Sequence, residues 1–230
     1  MASLLVTGMS VAGGLPVRTE DLIGRLAGEL RPVRRIAPPW TQALGWLGLA
    51  AALIALAVAL HGARHDLAER MAMPQEYLSW LASAGTGVTA AFAAAMLARP
   101  DRSWRWALLP LPFLLAWVAS LGMGCLADLG RLGPRAMQPE MSWGCIQFIG
   151  LLGLPLTAAM VLLLRHAGPV RPTPVLLLAG LASAALCSAG LSLFHHLDAA
   201  LEVLVSHGLA VALVVLAGRV LGRPLMLRVR

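Results

Sequence analysis

Six long apolar stretches constrain the fold of this chain more than any other feature. They run from about residue 42 to 61, 77 to 98, 106 to 123, 143 to 164, 175 to 194 and 199 to 217. A helix of roughly 20 apolar residues is long enough to cross the hydrocarbon core of a bilayer. Because lipid offers no hydrogen-bond partner to the backbone, such stretches are helical unless they close a barrel, and the alternation of a barrel is absent. The sequence therefore predicts an all-α integral membrane bundle of six transmembrane helices.

Composition supports this class and argues against a soluble domain. Hydrophobic residues make up 59% of the chain and charged residues only 13%, with a mean hydropathy of +0.78. Soluble domains are roughly 45–50% apolar. The net charge of +7 is carried by 18 arginines in small groups between the apolar stretches, a pattern typical of membrane topology signals and not of a nucleic-acid surface.

The distribution of arginine predicts the orientation of the bundle. Five arginines precede the first span, three lie in the second loop, two in the fourth loop and four in the C-terminal tail, against four in total on the opposite side. Short cytoplasmic loops retain positive charge, so we expect both termini in the cytoplasm. The predicted organisation is a cytoplasmic N-terminal segment (residues 1–40), a transmembrane domain (41–218) and a cytoplasmic tail (219–230).

Aromatic and small residues fit the same arrangement. Most tryptophans and the single tyrosine lie at or near span ends, as in an interfacial belt. These residues are Trp40, Trp46, Tyr77, Trp80, Trp104, Trp106 and Trp143. Small residues recur at every fourth position in the second and fifth spans, which predicts close helix packing there. They are Ser83, Gly87, Ala91 and Ala95 in the second span, and Gly180, Ala184 and Ser188 in the fifth.

The segment before the first span contains a short amphipathic pattern. Thr19 is a suitable cap for a helix with Glu20 and Asp21 in its first turn, and Pro32 ends the pattern. Its apolar residues form one stripe: Leu22, Ile23, Leu26 and Leu30. Such a helix either lies on the membrane surface or docks a cytoplasmic partner.

Machinery for catalysis or ion-coupled transport is absent from the sequence. None of the 11 acidic residues falls in the middle of a span, and Glu202, about one turn inside the last helix, comes nearest. Coupled transporters use ionisable groups inside the membrane. No HExxH, GxSxG or phosphate-binding glycine loop occurs either, so the sequence predicts no enzyme.

Four residues on the predicted outer side have side chains that can bind metal ions or undergo thiol oxidation. Cys125 follows the third span, Cys145 lies in the first turn of the fourth, and His195 with His196 forms the loop after the fifth. Thiolate and imidazole ligands suit soft metals such as zinc, cadmium or copper, and two thiols can instead form a disulfide. Cysteine is also an ordinary small hydrophobe in a helix. We interpret Cys187 as a packing residue and assign no role to His207.

Several short motifs in a fixed order resemble the NrsF family of bacterial inner-membrane anti-sigma factors, from about Arg18 to the C-terminus. They are Arg31-Pro32-Val33-Arg34-Arg35, Pro38-Pro39-Trp40, Gly124-Cys125-Leu126, Ser142-Trp143-Gly144-Cys145 and Leu221-Gly222-Arg223. Residues 1–16 precede the usual start of the family and lack the positive n-region of a signal peptide, so translation from Val17 is an alternative expectation.

The resemblance implies a function that the residues alone do not. The N-terminal segment would hold an extracytoplasmic-function sigma factor at the inner membrane, with no direct nucleic-acid contact, and an outer signal would release it. The partner-binding residues would be Leu22, Ile23, Leu26, Leu30, Arg34 and Arg35.

The sensing side of the family pattern is only partly present. The family senses metal or oxidative stress through two outer cysteines, one in a Ser-Trp-x-Cys stretch and one just after a histidine in the last outer loop. Cys145 matches the first, whereas His196 stands where the second cysteine would be. A disulfide between those two positions is therefore impossible. Transient soft-metal binding by Cys125, Cys145, His195 and His196 stays open, as does loss of sensing, and no permanent cofactor is expected.

A second function class is compatible with six spans. A small-solute or metal permease would use the outer cysteines and histidines as an entry site, although ligands in the middle of the membrane are missing. A membrane thiol oxidoreductase is a third alternative, which lacks a CxxC pair.

Overall fold

The structure is a computed structural model that describes residues 19–28, 36–133, 143–167, 171–195 and 200–227. The chain divides into two compact units, Met1–Arg35 and Ile36–Arg230. The helices of the described residues are α1 (Thr19–Gly28), α2 (Pro39–His61), α3 (Leu67–Ala72), α4 (Pro74–Leu97), α5 (Leu111–Leu132), α6 (Trp143–Leu164), α7 (Pro172–Leu191) and α8 (Ala200–Leu227). Short 3₁₀ turns at Trp104–Leu108 and Arg165–Ala167 precede α5 and follow α6.

Helix α1 is the described part of the first unit. It starts at Thr19, has Glu20 and Asp21 in its first turn and Arg25 in its last. Negative charge at the N-terminus and positive charge at the C-terminus both stabilise a helix through its dipole. The predicted short helix is therefore confirmed from Thr19 to Gly28, while its predicted end at Pro32 lies outside the described residues.

Six helices of the second unit are long and apolar enough to cross a membrane. The candidate spans are Pro39–His61, Pro74–Leu97, Trp104–Arg131, Trp143–Ala167, Pro172–Leu191 and Leu204–Pro224. No strand occurs among the described residues. Four of these helices have proline in the first turn, where its missing N–H would have no intrahelical partner and its fixed φ suits the helix. The predicted fold class, a six-span all-α bundle, is confirmed.

Helix α7 occupies the centre of the bundle. The buried share of its most apolar 18-residue window is 78%, compared with 17% for α2 at the periphery. The small residues predicted to pack closely are indeed buried on α4 and α7. A Cβ added at Gly87 would lie 2.6 Å from Leu186 Cγ, and one at Gly180 would lie 2.7 Å from Val215 Cα. The absence of a side chain at both positions is what permits these backbones to approach.

Two details differ from the sequence predictions. Helix α5 continues past Met123 to Leu132, so Cys125 lies within a helix instead of following the third span. Trp46, assigned to an interfacial belt, is only 2% exposed and donates its indole N–H to the Leu156 carbonyl at 2.9 Å. Trp46 therefore joins α2 to α6 inside the bundle, whereas Trp40, Trp104 and Trp143 are exposed.

The up-and-down path of the chain gives the bundle two ends. One end, here called the α3 end, contains residues 62–73, the last turns of α5, the first turn of α6 and residues 192–195. The opposite end contains residues 36–38, the connection from α4 to α5 and the connection from α6 to α7. The candidate site lies at the α3 end.

Candidate functional site

An ion pair organises the loop between α2 and α3. The Arg64 guanidinium donates to both carboxylate oxygens of Asp66, through Nε at 2.6 Å and Nη2 at 2.8 Å. Its Nη1 donates to the His195 carbonyl at 3.2 Å, and its backbone N–H donates to the Leu193 carbonyl at 3.0 Å. The guanidinium holds the pKa of Asp66 well below its ordinary value. Arg64 thus ties this loop to the segment that follows α7.

Aromatic rings join the same segment to two further helices. The Phe194 ring stacks on the His61 ring of α2 with 5.0 Å between centroids. It also meets the Phe148 ring of α6 edge-on, again at 5.0 Å. Both geometries are favourable for aromatic pairs. The position of His195 is therefore fixed by contacts of its neighbour and of its own carbonyl.

The structure brings two of the four predicted sensing residues into one neighbourhood. Cys145 lies in the first turn of α6, as the sequence predicted, and it is fully buried there. A Cβ added at the preceding Gly144 would lie 3.4 Å from His195 Nε2. The His195 imidazole therefore packs against the turn of α6 that carries Cys145.

The other two predicted residues are not placed in that neighbourhood by any described contact. Cys125 is partly exposed on α5, and His196 lies outside the described residues. Cys125, Cys145 and Cys187 are all present as thiols. Within the described ranges, no three His, Cys, Asp or Glu side chains form a cluster able to hold a metal ion. Metal binding by the four residues stays a prediction.

A polar cavity adjoins this region at the α3 end. Its volume is about 590 Å³, and α4, α5, α7 and α8 contribute to its wall. Serine hydroxyls line it: Ser79, Ser83, Ser120, Ser188 and Ser192. Charged residues also line it: Arg64, Arg70, Glu76, Asp128 and Arg131. His195 belongs to the lining as well, so the cavity and the predicted sensing region share a residue.

His207, to which sequence reasoning gave no role, belongs to the cavity wall. It is 4% exposed, and its Nδ1 is hydrogen-bonded to the Ser188 hydroxyl across the α7–α8 interface. Its Nε2 has no hydrogen-bond partner among the described residues, and the same is true of Trp80 Nε1. A lone histidine in an apolar span was the available sequence signal, but nothing in the sequence locates Ser188 or Trp80 beside the same cavity.

The fold and this region together define a class: a six-span membrane bundle with a polar chamber at one end. The chain belongs to the NrsF family, described as negative regulator of sigma F, whose model matches residues 26–228. It is 29% identical over 183 residues to a probable anti-sigma-F factor, NrsF, of Azospira oryzae, covering 75% of this chain and 80% of that protein. No solved structure matches the chain.

Both names denote a negative regulator of a sigma factor. The resemblance found from the ordered motifs is thereby confirmed. The family match covers the unit with the six spans and the end of α1, since it begins at residue 26.

Proposed function

We propose that this protein is an anti-sigma factor of the bacterial inner membrane that holds an extracytoplasmic-function sigma factor through its cytoplasmic N-terminal segment. A metal or oxidative signal on the periplasmic side releases the sigma factor. Family membership supports the regulatory class, and the excess of arginine near both termini supports the cytoplasmic location of the docking segment.

The exposed stripe of α1 is the observation that carries the docking role. Leu22, Ile23 and Leu26 are 48%, 60% and 55% exposed, and α1 has no buried residue. A short helix that leaves its apolar side chains uncovered gains most from a surface that buries them. The apolar groove of a folded partner protein provides such a surface. Leu30, Arg34 and Arg35, which lie outside the described residues, extend the proposed contact.

The neighbourhood of Cys145 and His195 supports the sensing role. Both lie at the α3 end of the bundle, which the arginine distribution predicts to face the periplasm. A ligand or an oxidant that reacts with Cys145 would perturb the segment after α7, whose carbonyls at Leu193 and His195 accept hydrogen bonds from Arg64. Helices α6 and α7 run from this neighbourhood to the opposite end of the bundle. At that end Arg99 donates to the Ala37 carbonyl, just before α2, so the approach to the membrane is itself anchored to α4.

Co-purification tests the docking role. The triple variant Leu22→Ser, Ile23→Ser, Leu26→Ser removes the exposed stripe and should reduce recovery of the sigma factor from detergent-solubilised membranes by at least about tenfold, because burial of each large side chain contributes roughly 1.5–3 kcal/mol. Glu20→Gln, on the same helix, is the matched control. Undiminished recovery of the sigma factor with the triple variant would remove α1 from the interface.

A sigma-dependent reporter tests the sensing role separately. Cys145→Ser should weaken induction by cadmium, while Cys187→Ser, whose thiol is also fully buried, should leave induction unchanged. Equal induction in the Cys145→Ser strain and the parent strain would exclude Cys145 from the signal.

A further inference from the structure

The cavity at the α3 end has the size of a ligand site. At about 590 Å³ it falls in the range of pockets that bind small organic molecules, roughly 300–1,000 Å³. The surrounding bundle packs Ala, Gly and Ser closely elsewhere along α4 and α7. A chamber of this size among tightly packed helices is a specific feature of this end of the molecule.

Three of the five serine hydroxyls in the wall already use their hydrogen. Ser83 donates to the Trp80 carbonyl at 2.9 Å, Ser120 to the Trp117 carbonyl at 2.7 Å, and Ser192 to the Ala189 carbonyl at 2.8 Å. Each hydroxyl has one hydrogen to donate. These three hydroxyls are therefore satisfied by carbonyls three residues earlier in the chain and do not require a ligand.

The His207 imidazole, in contrast, has an unmet donor. The Ser188 hydroxyl has no other hydrogen-bond partner among the described residues. If Ser188 accepted a hydrogen bond from Nδ1, its own buried hydrogen would be unpaired, which is unfavourable. Ser188 therefore donates to Nδ1, and the neutral ring carries its hydrogen on Nε2. That Nε2–H is buried and unpartnered among the described residues.

Trp80 adds a second unmet donor to the same wall. An indole nitrogen can only donate, and Trp80 Nε1 is buried with no partner among the described residues. A buried donor that is left without an acceptor destabilises the folded state. Two such donors in one cavity call for a ligand that brings hydrogen-bond acceptors.

The charge and the apolar part of the wall narrow the ligand class. Three arginines and two acidic residues line the cavity. Arg64 and Arg70 pair with Asp66 and Glu76, so Arg131 is the lining arginine whose charge can face a ligand. Trp117, Leu121 and Leu191 supply apolar surface. A bare inorganic anion would leave most of the volume and this apolar surface unfilled. A carboxylate attached to a compact apolar body matches all three properties.

We propose that this cavity binds a small water-soluble organic carboxylate, whose acid group accepts hydrogen bonds from His207 and Trp80 while its body packs against Trp117 and Leu191. Charged residues line this cavity, and because charged side chains are costly in hydrocarbon, we expect its entrance at the aqueous edge of the bundle. Neither the anti-sigma role nor the cysteines of the sensing proposal are needed for this binding.

Calorimetric titration of the full chain in lipid nanodiscs tests the proposal. Benzoate should bind saturably, and benzyl alcohol, of similar shape but without the charge, should bind at least about tenfold more weakly, as expected when charged hydrogen bonds are lost. His207→Phe and Trp80→Phe each delete one donor and keep an aromatic ring, and each should lower benzoate affinity about tenfold. Trp143→Phe, which changes an exposed tryptophan outside the lining, is the matched control and should bind benzoate like the parent.

Several results would overturn the proposal. Absence of saturable benzoate binding up to about 10 mM, where a ligand of millimolar affinity would be detected, would leave the cavity to solvent. Equal affinity for benzyl alcohol would refute recognition of the acid group. If His207→Phe and Trp80→Phe both unfolded at the parental temperature and bound benzoate with the parental affinity, these two donors would not form the binding site. Tighter binding of decanoate than of benzoate would assign the chamber to a lipid-derived acid instead.

Discussion

The same helix, α7, behaves differently in its two halves. In the first half Gly180 lets α8 approach so closely that a Cβ would meet backbone, whereas Ser188 in the second half borders an open chamber. Small residues occur in both halves, so residue size alone does not determine packing. What differs is that Gly180 in the first half packs against Val214 and Val215 of α8, while Ser188 in the second half is hydrogen-bonded to His207 beside a cavity that Trp80 also lines. Close packing and a polar chamber are thus built from the same stripe of small residues.

The largest expected effect comes from breaking the close-packed half. Gly180→Leu would force a side chain against the backbone of Val215, and overpacking of this kind costs about 3 kcal/mol. Unfolding in a denaturing detergent titration should report this loss. Gly208→Leu on α8 is the matched control, because a Cβ there meets nothing within 4 Å. Equal stability of the two variants would mean that α7 and α8 are not in close contact.

A smaller loss is expected at the chamber end. Arg64→Ala removes the bidentate contact with Asp66 and the bond to the His195 carbonyl, and it leaves that carboxylate without its principal partner. The thermal unfolding temperature should fall, but less than for Gly180→Leu, since the site can admit water. Arg102→Ala, where the guanidinium is 3.6 Å from Asp101 on an exposed connection, should have almost no effect. An unchanged unfolding temperature in Arg64→Ala would show that the α2–α3 loop is not anchored by this pair.

Trp46→Phe should produce a loss of about 1 kcal/mol. The substitution keeps the buried ring but deletes the hydrogen bond to the Leu156 carbonyl, and such bonds contribute on the order of 0.6–1 kcal/mol in membrane bundles. Trp40→Phe, at an exposed position six residues earlier, should leave the unfolding midpoint where it is. Identical midpoints for the two variants would argue that the α2–α6 contact has no energetic role.

The smallest effect should appear only in acid. The pKa of Asp66 is lowered by the Arg64 guanidinium from an ordinary value of 3.8, so the folded state favours the ionised carboxylate. The resulting stabilisation is complete above the ordinary pKa and is lost as pH falls below about 4 towards the folded-state pKa. Unfolding temperature measured from pH 7 to pH 3 should decline more steeply in the parent than in Asp66→Asn. If the unfolding temperatures of the parent and of Asp66→Asn fell equally with pH, the Asp66 carboxylate would not be a source of the acid sensitivity.

The fold was predictable because hydropathy and length are properties of each segment alone. Six runs of about 20 apolar residues leave little freedom in a bilayer, and the structure contains the six corresponding helices. The end of α5 was predicted too early because hydropathy falls before helical structure does. Asp128 and Arg131 end the apolar run, but they lie in the last turns of the same helix. Cys125 was displaced from loop to helix for that reason.

The site was only partly predictable because it depends on contacts between segments. The position of Cys145 in a first helical turn follows from local sequence, and it is confirmed. The pairing of Ser188 with His207 joins two helices across 19 residues, and no local pattern specifies which faces meet. Trp46 illustrates the same limit, since its proximity to a span end suggested an interfacial role while its acceptor lies 110 residues away.

The central position of α7 has a consequence for how the bundle responds to its surroundings. Neighbouring helices cover most of its length, so acyl chains have little direct access to it, and bilayer thickness or fluidity acts on it only through those neighbours. The peripheral α2, by contrast, presents most of its surface outward. This arrangement shields α7 from changes in the lipid composition of the membrane. Changes in the aqueous phase can still act on α7 through its two ends.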